Sequence, residues 1–184
     1  IKLANIANSK RINHFERNGA YVYAANDFSI VLIDAAKDEI KDTYYPTNGL
    51  EPIMDVAISQ DSIFALTPSQ MFKGLRSNPA LPDYSQWDRD IRFPYQFTNK
   101  YIELQQIGQQ FWVLRKDETY GQDSVFRLVN DQLQLVTDQP FSLEINSIQA
   151  IGNQMAVSTD GGFMLYNADG QWQTAYSSNL LDRW

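Results

Sequence analysis

The chain has 184 residues, a net charge of −7 and 20% charged residues, with a pI near 4.6. One domain with a substantial core fits that length, while the acidic balance, with no Lys/Arg cluster against it, argues against phosphate-led nucleic-acid binding. Cysteine is absent, which removes disulfides, thiolate catalysis and Cys-ligated zinc together.

No apolar run approaches the ~20 residues of a membrane-spanning helix, and no signal peptide is visible. The aromatic share, 13%, suits pleated sheets, where large rings pack on neighbouring side chains. No amphipathic helix longer than two turns is evident, so the expectation is an all-β fold.

In chain order, Ile12–Phe15 reads as a short strand and Glu16-Arg17-Asn18-Gly19 as a turn. Ala20–Ala25 follows, then Asn26-Asp27, the apolar run Phe28–Ile33 and an outer strand at Glu39–Tyr45. A second unit opens at Thr47-Asn48-Gly49-Leu50, with strands at Ile53–Ser59, Ser62–Thr67 and Met71–Leu75. Arg76 to Asp90 is read as an insertion, a loop that carries aromatic residues on a rim. A third unit runs through Tyr101–Ile107, Phe111–Arg115, the polar excursion Lys116 to Asp123, Ser124–Val129 and Gln132–Val136. The fourth, Ile145 to Gln173, is the clearest: four short strands separated by Gly152-Asn153, Asp160-Gly161 and Asp169-Gly170. Such turn pairs between short apolar runs are among the strongest local hairpin signals.

The first turns, at Asn18, Gln60, Gly108 and Gly152, recur at intervals of 42, 48 and 44 residues. Four-stranded units at 40–50-residue spacing are the signature of propeller blades. A β-sandwich also has short, evenly spaced strands, but it does not restart the same apolar pattern every fourth strand. The expectation is therefore a β-propeller of about four four-stranded antiparallel meanders, with blades near 11–46, 47–95, 96–140 and 141–176. Either these form a small four-bladed ring or they open a larger propeller. The start at Ile1 without Met and a tail, Leu180 to Trp184, resembling a new strand favour the larger one.

Chemistry is harder to find. The single His14 cannot build a zinc site without cysteine partners and reads as a packed or rim residue. Thr159-Asp160-Gly161-Gly162 lacks the Lys and helix of a phosphate loop. Asn167-Ala168-Asp169-Gly170 resembles the start of a calcium loop but lacks the later bidentate acid, so a hairpin turn is the better account. The acid pairs Asp88/Asp90 and Asp38/Glu39 suit acid–base work in a glycosidase or lyase, yet nothing separates them from solvated surface acids. No catalytic residue, metal or cofactor is expected. Tyr44, Tyr45, Tyr84, Trp87, Tyr95 and Tyr101 fall at strand ends or in the insertion. Rings there either stack on a glycan or anchor a protein partner, or pack between blades.

Two segments resemble known families. Thr47-Asn48-Gly49-Leu50, Ile53–Ile58 and Ile63–Thr67 resemble the repeat of two-component-regulator propellers, a pattern that Thr159, Gly161, Gly162 and Phe163 repeat. Asn78-Pro79-Ala80-Leu81-Pro82-Asp83-Tyr84-Ser85-Gln86-Trp87 is similar to the Asn-Leu-x-Asp-Phe-x-x-Trp segment of PorZ-type N-terminal propellers, with a longer stretch, Pro79-Ala80-Leu81, before the Asp. The second resemblance implies a non-enzymatic component of the type IX secretion system of Bacteroidetes, exported to the periplasm or outer-membrane surface. It also implies protein partners, a sortase-like protease and a β-barrel shuttle, and binding of anionic lipopolysaccharide. The rivals are an oligosaccharide-sensing propeller of a hybrid two-component regulator and a propeller enzyme acting on polysaccharide.

Overall fold

The computed structural model describes residues 11–119, 123–136 and 144–177. Among the described residues, sixteen short strands make four sheets of four, each a simple antiparallel meander in sequence order. The fold class is all-β, that of propeller blades, and a boundary after Gln96 divides the chain into two compact units.

In the first unit, β1 (Ile12–Asn18), β2 (Tyr21–Asn26), β3 (Ile30–Asp34) and β4 (Glu39–Tyr44) form one sheet. The other comprises β5 (Asp55–Ser59), β6 (Ser62–Leu66), β7 (Met71–Leu75) and the two-residue β8 (Asp88–Arg89). In the second unit, β9 (Asn99–Ile107), β10 (Gln110–Asp117), β11 (Ser124–Val129) and β12 (Gln132–Leu135) form the first sheet. Its second sheet is β13 (Ile145–Ile151), β14 (Gln154–Thr159), β15 (Gly162–Asn167) and β16 (Trp172–Ser177).

A strand's side chains alternate between faces, so burial shows which face each sheet uses. In the first unit, Tyr23 and Ala25, third and fifth in β2, meet Ile63 and Ala65, second and fourth in β6. The second unit repeats this: Trp112 and Leu114, third and fifth in β10, share a core with Met155 and Val157, second and fourth in β14. The first sheet of each unit thus offers one face and the second the opposite face, as stacked blades do. Register carries the choice across each sheet: Tyr23 pairs with Leu32 and Ala25 with Ile30, and all four lie in that core.

Two local devices hold the meanders in shape. The first hairpin of each sheet turns through a left-handed residue, with φ of 62° at Gly19, 50° at Gln60, 61° at Gly108 and 60° at Gly152. The second strand closes on a polar side chain that ties down the next turn. Asn26 Oδ1 accepts from the Phe28 and Ser29 amides. The Thr67 hydroxyl donates to the Gln70 carbonyl and accepts from its amide, and the Thr159 hydroxyl donates to the Gly162 carbonyl. Asn13 and Asn146 sit at matching register shifts, each donating to the Asp fourteen residues on, Asp27 and Asp160.

The structure departs from the sequence expectation in three places. Strand β1 continues to Asn18, so the equivalent turn residue is Gly19. Residues 76–90 are not a simple rim loop, because the segment returns to add β8 beside β7 and bury Leu81 and Trp87. Strand β10 runs to Asp117 into the expected polar excursion, of which residues 120–122 lie outside the described residues, as does 178–184 of the tail.

Thr67 is fully buried, and its hydroxyl makes two backbone hydrogen bonds. Thr67→Val keeps the shape and removes both; the Gln70 carbonyl still accepts from the Thr67 amide, but the Gln70 amide loses its acceptor. The expected loss is about 1–3 kcal/mol, measured by urea unfolding of the variant against the parent chain.

Candidate functional site

One surface feature of the first unit lies between the turn after β4 and the segment after β7. The Leu50 amide donates to the Thr47 carbonyl across Asn48 and Gly49, which have φ of 55° and 74°. Two successive left-handed residues define a type I′ turn, which Asn-Gly adopts most cheaply. Thr47 closes the turn by donating to the Glu51 carbonyl, and Leu50 is left 84% exposed.

The facing wall is residues 78–87, held by its own hydrogen bonds. Asn78 accepts the Ala80 amide on its side chain and the Leu81 amide on its carbonyl, and its Nδ2 donates to Gln86. Asp83 caps the 3-10 turn Tyr84–Gln86 by accepting from the Ser85 amide. The Trp87 indole donates to the Leu81 carbonyl at 2.9 Å, which locks the ring against the segment it ends.

Gly74 of β7 makes room for this plug. A Cβ there would lie 2.5 Å from Leu81 Cδ1 and 3.1 Å from the Trp87 ring. The resulting groove holds about 400 Å³, with walls that include Pro46, Leu50, Phe72, Tyr84 and Trp87. One carboxylate lines it, Glu51, both of whose oxygens lie 2.7 Å from the Ser69 hydroxyl. A second, more polar depression of about 390 Å³ lies on the other side of the segment, with Lys73, Asn78, Gln86 and Asp88 among its lining.

The aromatic residues singled out from the sequence divide. Tyr44, Trp87 and Tyr101 are buried at 8%, 6% and 1% exposure, so these three are packing residues rather than displayed rings. Tyr44 lies 6.3 Å from Trp87, and burial chiefly pushes its phenol up to about 12. Tyr45 is half-buried. Tyr84 and Tyr95 are 51% and 40% exposed, and the Arg89 guanidinium lies 5.4 Å from the Tyr95 ring centre. Only Tyr84 and Trp87 of the six line the groove. Glu51, Ser69 and Phe72 carried no sequence signal, because Ser69 meets Glu51 across 18 residues and a strand Phe reads as core.

Of the acids considered for catalysis, Asp90 and Glu39 are engaged by neighbouring cations, while Asp88 is exposed. Asp90 is buried and gripped by Arg92 at 2.8 and 2.6 Å. Glu39 lies 3.6 Å from Lys37, while Asp38 occupies a left-handed turn position at φ 53°. Asn167 is spent on its own hairpin, exchanging side-chain hydrogen bonds with Gln171. His14 Nε2 lies 3.3 Å from Oδ1 of the buried Asp55, joining β1 to β5. Burial holds the imidazole below its ordinary value even beside that carboxylate. Among the described residues no group of three or more His, Asp or Glu is placed to hold a metal ion.

The family model of "TSS9, PorZ, N-terminal beta-propeller domain" matches residues 1–88. That segment is similar to a PorZ-type propeller. The match takes in both walls of the groove, the Asn-Gly turn and the segment ending at Trp87. Over 90% of its length the chain superposes on PorZ, described as an essential surface component of the type IX secretion system of Porphyromonas gingivalis. The TM-score is 0.67 with 16% identity, and the match spans 21% of that PorZ chain. The extracellular domain of the putative one-component system BT4673 of B. thetaiotaomicron is also similar, with TM-score 0.60 and 15% identity over 95% of this chain and 23% of that one. The N-terminal domain of Nup159 gives 0.59 and 12% over 94% and 46%. At these identities the likenesses show the fold alone. This chain therefore spans about a fifth of the PorZ chain it resembles, and no curated protein matches it.

Gly74→Ala is expected to destabilise the first unit by about 1–3 kcal/mol, the usual cost of overpacking a filled site, because the new methyl meets Leu81 Cδ1 and the Trp87 ring that is tied to the Leu81 carbonyl. A urea unfolding curve checks it. A second expectation concerns pH. The unfolded imidazole protonates near 6.5 whereas the folded one resists, so the contribution of His14 to stability is complete above about pH 6.5 and is lost as pH falls through the folded value. The drop in urea midpoint between pH 7.5 and 5.5 should be smaller in His14→Gln than in the parent.

Proposed function

We propose that this chain is a non-enzymatic binding and scaffolding module of a type IX secretion surface complex, exported to the periplasm or cell surface. The match of residues 1–88 to the PorZ N-terminal propeller domain is the observation that carries the reading. On this reading the four meanders belong to one propeller domain that holds protein partners of the secretion complex. A glycan of the anionic lipopolysaccharide kind is its second ligand.

The chemistry is consistent with holding rather than transforming. The side chains of Asp34, Asp90 and Asp123 are each buried and within 4 Å of a Lys or Arg of their own unit, which keeps them occupied. An acid–base pair instead needs one member tuned towards neutral pH and open to substrate. Among the described residues no helix is long and apolar enough to cross a membrane.

Deleting the gene in its source bacterium and restoring it from a plasmid tests the assignment. Cargo of the type IX system should disappear from the cell surface on deletion and return with the restored gene; unchanged surface cargo would sink the proposal. For the glycan, the acidity of the chain gives a sign. Repulsion between a chain of net charge −7 and an anionic polysaccharide is screened by salt. Binding to purified anionic lipopolysaccharide should therefore hold or tighten between about 50 and 300 mM salt, as measured by surface plasmon resonance.

A further inference from the structure

Several carboxylates elsewhere in the first unit have cations, among them Asp27 with Arg11, Asp34 with Lys37 and Asp90 with Arg92. Glu51 does not. Among the described residues no Lys, Arg or His lies within salt-bridge distance of it, and its side chain meets only the Ser69 hydroxyl. That hydroxyl has one proton to give, whereas a carboxylate has about four acceptor positions. Glu51 is thus a half-buried anion, held in one orientation, with acceptor capacity unused. It lines a groove whose other walls include Phe72, Tyr84, Trp87, Pro46 and Leu50 beside the polar Thr47, Asn48, Gln70 and Ser85.

We propose that this groove docks an extended peptide segment of a protein partner, one that carries an arginine beside an aliphatic residue. The inference rests on reading the chain as a scaffold for proteins and names the chemistry of that partner. Charge complementarity selects the cation, since a guanidinium brings planar paired donors to a carboxylate and stacks on aromatic faces. Tyr84, 51% exposed, supplies such a face at the mouth. Leu50, 84% exposed at the tip of a rigid I′ turn, supplies the apolar contact for the neighbouring side chain. The turn and the self-bonded 78–87 segment are ordered by their own hydrogen bonds, so little ordering cost remains for binding.

The test uses the full chain and the acetylated, amidated peptide Gly-Ser-Leu-Arg-Leu-Ser-Gly, with a counterpart carrying Glu in place of Arg. Amide chemical shifts are followed during titration. The Arg peptide should move the signals of residues 47–51 and 69–87 and bind at least about tenfold more tightly than the Glu peptide. Glu51→Gln, which keeps shape and the Ser69 contact, should remove about tenfold of that affinity, or ~1.4 kcal/mol. Tyr84→Ala, at an exposed position, should weaken binding without changing the unfolding midpoint. Equal binding of the two peptides would overturn the proposal, as would unchanged affinity in Glu51→Gln. So would perturbation of the same signals by a neutral oligosaccharide such as maltoheptaose but not by the peptide, or dilution-dependent self-association that Glu51→Gln abolishes. Because peptide binding is read in solution, its failure removes the groove as a docking site and leaves the cargo experiment to judge the secretion reading alone.

Discussion

Four short antiparallel strands make a sheet with two faces, and such a sheet is not stable while both meet water. That constraint organises the chain. In each unit the first sheet buries the third and fifth residues of its second strand against the second and fourth of the next sheet's. A one-residue slip would turn those side chains to the wrong face. The left-handed first turns and the capping Asn26, Thr67 and Thr159 fix register at both ends of the second strand. Small polar devices thereby decide which apolar residues meet.

The groove follows from one exception to the regular meander. Between β7 and β8 the chain leaves for twelve residues, 76–87, before adding a two-residue strand. The excursion is stable because it carries its own anchors, Leu81 and Trp87, and because Gly74 leaves space for them. Its polar residues satisfy one another on the outside. An Asn-Gly turn contributed by the link between the two sheets stands opposite. A blade with an ordinary hairpin at this point would have no such wall and no cleft.

Electrostatics sharpens the contrast between residues that stabilise and residues that are available. Most buried acids of the first unit are tied to a neighbouring cation or, for Asp55, to His14. Charges paired in this way are committed to structure. Glu51 is oriented by a neutral hydroxyl and is the one carboxylate in a cleft that Phe72, Tyr84 and Trp87 also line. Desolvating a carboxylate without a cation is costly, so this position favours a ligand that brings one.

Fold class was legible in the residues because turn chemistry and strand periodicity are local. Asp169-Gly170, Gly152-Asn153 and the spacing of first turns announce meanders wherever they occur. The Asn78–Trp87 pattern likewise resembles PorZ-type propellers in its residues alone. Tertiary structure decided what the aromatic residues do. Tyr44, Trp87 and Tyr101 look like Tyr84 and Tyr95 in sequence, yet the first three are buried and the last two are exposed. Burial depends on which sheet face meets another and on the empty space at Gly74, and neither is written in neighbouring residues. The pairing of Glu51 with Ser69 was equally invisible, because a hydrogen bond between separate loops exists only after the sheets between them have set their distance.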